Sequence, residues 1–223
     1  MKKILLSIIY FLGCILSIQA QTLYTTVNGG GDGGGTIIRF NAATNDLTVV
    51  KSFKSNDVIT GGSPTGSLLL AGNGKLYGMT QFGGSTNQGV IFSYDPATEN
   101  YIKLHDFDGT NGANPSGSLI QASNGKLYGM TQDGGSTDNG VIFSFDPLSS
   151  AFTKLEDFDF TNGSEGLGSL MQASDGKLYG ITNNGGSFHE GIIFSFDPLT
   201  GTYTILHDFD FDHDGGGPFG NLM

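Results

Sequence analysis

The hydrophobic residues of this chain fall in short runs separated by glycine-rich polar stretches. Beyond the first twenty residues, no stretch places its apolar positions at a helical period. One unit shows the order. GSLIQA begins at Gly117, KLYGMT at Lys126, VIFSFD at Val141 and AFTKLEDF at Ala151, with QDGGSTDNG between the second run and the third. Asn124-Gly125, between the first two runs, is a hairpin signal, because a tight two-residue turn needs residues that accept positive φ. Asp146-Pro147 opens a second turn, with proline presetting φ and aspartate capping. In VIFSF, Val141, Phe143 and Phe145 face one way and Ile142 the other, so both faces of this strand are expected to be covered. Gly129 and Gly180, inside the second run, predict close approach of a neighbouring backbone.

The unit is written three times. KLYGMTQFGGSTNQGVIFSYD starts at Lys75, KLYGMTQDGGSTDNGVIFSFD at Lys126 and KLYGITNNGGSFHEGIIFSFD at Lys177. The step is 51 residues, and the first two copies agree at 17 of 21 positions. A repeated supersecondary unit of this length cannot bury its apolar faces alone and stacks on its neighbours. The expected fold class is therefore all-β: a β-propeller-like array of four-stranded antiparallel blades. LYTTVNGG at Leu23, TIIRFN at Thr36 and LTVVKSF at Leu47 match the last three strands of a unit, whereas PFGNLM at the other end matches only the first. The organisation is a partial repeat over 21–63, repeats over about 64–114, 115–165 and 166–217, and the start of a further unit over 218–223. Either the strand near Leu222 completes the first blade and closes a four-bladed ring, or the chain is the front of a longer array. The second reading is favoured, because a strand that closes a ring usually carries a tail.

The pattern GKLYGMT…GG…GVIFSFDP…FTKLHDFDG…NGANPSGSL resembles the GloVer tandem-repeat family of secreted bacterial proteins. It is also similar, more distantly, to kelch repeats, in the glycine pair after strand two and the aromatic-Asp-Pro turn before strand four. The resemblance implies an exported or surface-anchored protein and no general activity.

MKKILLSIIYFLGCILSIQAQ has two lysines, an apolar run from Ile4 to Ile18 and a small residue at Ala20, the order of a secretory signal peptide over residues 1–20. The run is too short for the ~20 residues that span a bilayer, so no transmembrane helix is expected in the mature chain. Lipid attachment at Cys14 is disfavoured by the further residues, mostly apolar, that follow it. That cysteine is the only one in the sequence, so the mature chain has no disulfide, thiolate metal site or cysteine nucleophile. Loss of Lys2 and Lys3 takes the formal charge of −11 to −13 and leaves scattered single cations, which excludes a nucleic-acid partner.

In a four-strand meander the turns alternate between two ends, so the long loops gather at one end of the blades. There Thr86-Asn87-Gln88, Thr137-Asp138-Asn139 and Phe188-His189-Glu190 occupy one equivalent place and differ, as a surface that binds an extracellular glycan or protein would. Tolerance of change at exposed loop tips is the competing explanation. Asp210, Asp212 and Asp214, followed by Gly215, form D-x-D-x-D-G, the start of a calcium loop. The pattern stops there: Pro218 and Asn221 stand where later acidic ligands belong, and no other cofactor is expected. His105 and His207 share a repeat position and read as structural. With no phosphate loop, nucleophile elbow or zinc motif, catalysis is not expected. Three functions remain, in this order: an exported binding or scaffolding module, a spacer with no ligand, and a secreted polysaccharide hydrolase or lyase using loop carboxylates.

Overall fold

The computed structural model describes residues 22–55 and 57–223. Strands β1 (Thr22–Val27), β2 (Gly33–Asn41) and β3 (Asp46–Lys54) form a first sheet. The second is β4 (Gly62–Leu70), β5 (Leu76–Phe82), β6 (Val90–Asp95) and β7 (Asn100–Asp106). The third comprises β8 (Ile120–Gln121), β9 (Leu127–Met130), β10 (Val141–Phe145) and β11 (Phe152–Asp157). The fourth comprises β12 (Met171–Gln172), β13 (Leu178–Thr182), β14 (Ile192–Asp197) and β15 (Thr202–Asp208). Each sheet is an antiparallel meander in sequence order, and the described residues contain no helix. The all-β, blade-array expectation holds. The leader expected over residues 1–20 lies outside the described residues.

The core lies between blades. Tyr77, Met79, Ile91 and Phe107 of the second blade are buried against Leu127, Phe143 and Phe145 of the third. Tyr128, Met130, Ile142 and Phe158 of the third repeat that contact on Leu178, Phe194 and Phe196 of the fourth. Every residue of β10 is buried, so the two-faced apolar run did mark a covered sheet. The equivalent outer set of the fourth blade, Tyr179, Ile181, Ile193 and Phe209, is only half-buried. On the first blade Leu23, Leu47 and Val49 are exposed. Among the described residues, then, the first and last blades each present one uncovered apolar face.

The innermost segments are packed backbone to backbone. The Ser67 N–H donates to Ser118 Oγ at 2.7 Å, the Ser118 N–H to Ser169 Oγ at 2.8 Å and the Ser169 N–H to Asn221 Oδ1 at 2.6 Å. In the third and fourth blades strand one is shorter than its sequence suggests. β8 and β12 have two residues each, and the Ser118 and Ser169 N–H groups ahead of them bond outside their own sheet. Residues 218–223 form no strand; Asn221 continues the inner series beside Ser169. Among the described residues β1 pairs with β2 alone.

The strand-two glycines have a different cause from the one expected. A β-carbon at Gly129 would stand 2.6 Å from Phe143 Cζ, and at Gly78 it would stand 2.5 Å from Phe92 Cζ. The close neighbour is an aromatic ring of the adjacent strand, not a backbone. The first blade has Thr25 opposite Ile38 at this place, a larger residue facing a smaller one.

Strand four carries an aromatic that locks each blade to the one before. The hydroxyl of Tyr101 donates to the Thr60 carbonyl, and that of Tyr203 to the Asn162 carbonyl at 2.7 Å. Burial, the largest cause, pushes both phenols well above their ordinary range, so they stay protonated donors. Phe152 holds the same place without a hydroxyl and stacks on His105, centroids 3.9 Å apart and planes 4° from parallel. Tyr203→Phe is therefore expected to fold normally and lose about 1 kcal/mol of stability, the worth of one hydrogen bond to a carbonyl left unpaired, as read by urea unfolding.

Candidate functional site

The long loops do gather at one end, where hydrogen bonds join them. The Gly135 N–H donates to the Gly109 carbonyl at 2.8 Å, and Gly186 repeats the bond to Phe160. The second glycine of each pair makes room for the aspartate that ends strand four. A β-carbon at Gly135 would meet Asp157 Oδ1 at 2.5 Å. That carboxylate accepts the Ser136 N–H at 2.9 Å, as Asp106 accepts Ser85 and Asp208 accepts Ser187. These acids hold loop backbone in place.

The nine candidate binding residues occupy equivalent places on this end, and most of them also hold the loop. Thr86 Oγ1 donates to the Phe107 carbonyl at 2.7 Å and Thr137 Oγ1 to the Phe158 carbonyl at 2.6 Å. Asn87 and Asp138 sit at φ near +60° and accept the Gly83 and Gly134 N–H groups, each at 2.9 Å. The carbonyls of Gln88, Asn139 and Glu190 accept from Asn114, Glu165 and Gly217, tying each loop to the connection into the next unit. Divergence in the first two triplets preserves these bonds.

The third triplet keeps only the backbone bond at Glu190. Phe188 has no hydroxyl to give and is 54% exposed. His189, at φ +67°, lies 5.2 Å from the ring of Phe160. Phe160 is a residue the sequence reading missed. It stands where the preceding unit has Gly109, keeps a φ of +73° and is 39% exposed. A bulky residue in the left-handed region is strained, and strain of this kind collects at functional places. The signal was partly available, since Phe160 stands where the preceding unit has Gly109, although Phe211 holds the same place one unit later. Phe160, Phe188 and His189 thus make an aromatic patch at the boundary of the third and fourth blades.

The acids of D-x-D-x-D-G form hydrogen bonds within their own loop. Asp214 accepts the Asp210 N–H at 2.7 Å and lies 2.5 Å from His207 Nε2. Asp210 accepts the Asp212 N–H at 3.1 Å and lies 2.7 Å from His213 Nδ1. Asp214 takes the part that Asn162 plays one unit earlier, where its Oδ1 accepts the Asp159 N–H at 2.8 Å. Among the described residues no group of three or more acidic, histidine or cysteine side chains is arranged to hold a metal ion.

Acid sensitivity follows from the loop carboxylates. The Thr161 hydroxyl and the Asn162 N–H hold Asp159 below its ordinary pKa. The Asp210 N–H, then His207, does the same for Asp214. A carboxylate with a depressed folded pKa contributes stability present above its unfolded pKa and lost as pH falls through the folded value. Burial lowers His105, whose stability contribution is likewise lost as pH falls below about 6.5, the unfolded value. Glu156, raised by burial and then by Asp157, runs the other way. The urea midpoint is expected to decline from pH 7 towards pH 3, and a midpoint flat over that window would contradict these assignments.

Stacked blades with hydrogen-bonded loops at one end define a propeller-type tandem-repeat protein. The chain matches the Gloeobacter/Verrucomicrobia repeat over residues 13–223 and belongs to that family. Comparison with curated proteins finds no match. Among solved structures it is similar to a chain of a nidogen–laminin complex, with TM-score 0.60, 16% identity, and 92% of this chain covering 65% of that one. It is also similar to the extracellular domain of BT4673 from B. thetaiotaomicron, with TM-score 0.63, 13% identity, and 91% covering 23%. For TolB from Acinetobacter baumannii the figures are 0.50, 16%, and 87% covering 45%. At these identities the likeness is one of fold. The chain spans under two thirds of each of these relatives.

Among the described residues no helix is long and apolar enough to cross a membrane.

Proposed function

We propose that this protein is an exported, non-catalytic repeat module that binds an extracellular glycan or protein at the cell surface through its long-loop end. One observation carries the reading. Phe188 and His189 depart from the two preceding triplets and give up loop-stabilising bonds, Phe160 holds a strained φ where the preceding unit has glycine, and together they expose aromatic surface. Exposed aromatic anchors on a rigid scaffold are the common form of a binding hot spot. The leader-like sequence Met1–Ala20 supports export, and the nidogen–laminin and extracellular-domain neighbours fit a surface role. The test is the signal-free chain on glycan and extracellular-protein arrays, against a variant with Phe188-His189-Glu190 replaced by the Thr-Asp-Asn of the preceding unit. Binding by the natural chain that the variant loses is expected. Equal binding by both would remove the loop end from the function, and no binding by either would favour a spacer.

A further inference from the structure

A second place in the molecule breaks the repeat, at the opposite end of the blades and between the first and second. A cleft of about 460 Å³ opens there, with Tyr24, Arg39, Asn41, Asp46 and Thr48 of the first sheet facing Pro96 of the second. Its volume lies in the ordinary range for small-molecule sites.

Three departures from the repeat converge on it. Arg39 is the only arginine in the chain, and Ser93, Ser144 and Ser195 hold its position in the other blades, all buried. Tyr94 stands where the following units have Phe145 and Phe196. Glu99, which accepts a hydrogen bond from Arg39 at 2.9 Å, stands where they have Ser150 and Gly201. Tyr24 differs in circumstance. Tyr77 and Tyr128 each share a hydrogen bond with an asparagine four residues earlier, whereas Ala20 occupies that position before Tyr24. Tyr94 is fully buried beside Tyr24, ring centroids 6.0 Å apart, and its hydroxyl has no hydrogen-bond partner among the described residues. An unsatisfied buried hydroxyl costs about 1–3 kcal/mol. Phenylalanine, used at this place three times in the same chain (Phe40, Phe145 and Phe196), would avoid the cost.

We infer that this cleft binds a neutral sugar residue. Arg39 and the side-chain amide N–H groups of Asn41, whose Oδ1 accepts the Ala43 N–H, offer donors and Asp46 offers acceptors, which match adjacent hydroxyls that both give and take hydrogen bonds. Tyr24 adds an apolar ring face and a hydroxyl. An anion would have to compete with Glu99 for Arg39 and would meet Asp46. A cation would meet Arg39. A neutral polyol avoids both conflicts, and Tyr94, buried beside Tyr24, backs the ring face it would meet.

The experiment is saturation-transfer NMR on the signal-free chain with glucose, galactose, mannose, N-acetylglucosamine and glucuronate, each at millimolar concentration. At least one neutral sugar is expected to receive magnetisation. Arg39→Ser is expected to weaken that sugar about tenfold or more, and Tyr94→Phe by a smaller factor. Both substitutions restore residues the other blades already use, so the fold is kept. Replacing Phe188-His189-Glu190 by Thr-Asp-Asn is expected to leave the signal unchanged, which separates this cleft from the loop end. No transfer to any neutral sugar, transfer to glucuronate alone, or an unchanged signal in the Arg39→Ser/Tyr94→Phe double variant would overturn the inference.

Discussion

Phe160→Gly is expected to make the protein more stable while abolishing binding at the loop end. Phe160 holds a φ of +73° where the preceding unit has Gly109 at +88°. A bulky residue in that conformation costs about 1–2 kcal/mol. Glycine returns roughly 0.5–1 kcal/mol through the looser unfolded chain, leaving a net gain of about 0.5–1 kcal/mol. Phe188→Thr adds to it, since a threonine there can donate to the Phe209 carbonyl as Thr137 does to Phe158, worth about 1 kcal/mol. Together the two changes should raise the melting temperature by about 3–8 °C and weaken the array partner by tenfold or more. A merely tolerant loop tip would show the gain in stability with no loss of binding. A drop in melting temperature would mean that the patch supports the fold, and its reading as a binding surface would fail.

The repeat made most of the architecture legible. Strands that alternate with Asn-Gly and Asp-Pro turns, and a third strand apolar on both faces, are local signals that the inter-blade core confirms, since all of Val141–Phe145 is buried. What the sequence hid was mostly long-range. GSLIQA has strand composition, yet Ser118 gives its N–H to Ser169, a residue of the next blade. Gly129 looked like room for a backbone, and the occupant is the ring of Phe143. The spacing of D-x-D-x-D-G does not reveal the partners its acids take within the loop. Asp210 and Asp214 rebuild, across one extra residue, the loop that Asp159 and Asn162 close a unit earlier. The loop triplets were visible as divergent, but divergence alone did not separate Thr86 and Thr137, whose hydroxyls hold a carbonyl, from Phe188, which holds none. Arg39 and Tyr94 were readable by the same comparison, since each breaks a position that the other units keep. Phe160 shares its place with Phe211, and what sets it apart is a bulky side chain at positive φ.

Those departures matter only if the frame around them is rigid, and the inner segments set that rigidity. Gly117→Ala is expected to destabilise the protein by about 3 kcal/mol or more, because a β-carbon there would overlap the Gly168 carbonyl oxygen. Relief by movement is blocked on both sides. The Ser118 N–H is bound to Ser169 Oγ at 2.8 Å, and a β-carbon at Gly168 would in turn overlap the Gly220 carbonyl oxygen. Gly125→Ala is the matched control. Its φ of +81° makes alanine unfavourable, but nothing lies within 4 Å of the added carbon, so about 1 kcal/mol is expected. Urea unfolding of the two variants separates backbone strain from lost contact between blades. Equal losses would mean that the inner segments are not packed against one another. A much larger loss at Gly117 would show that neighbouring blades share their innermost backbone, and that the aromatic patch and the Arg39 cleft are held at opposite ends of one stack.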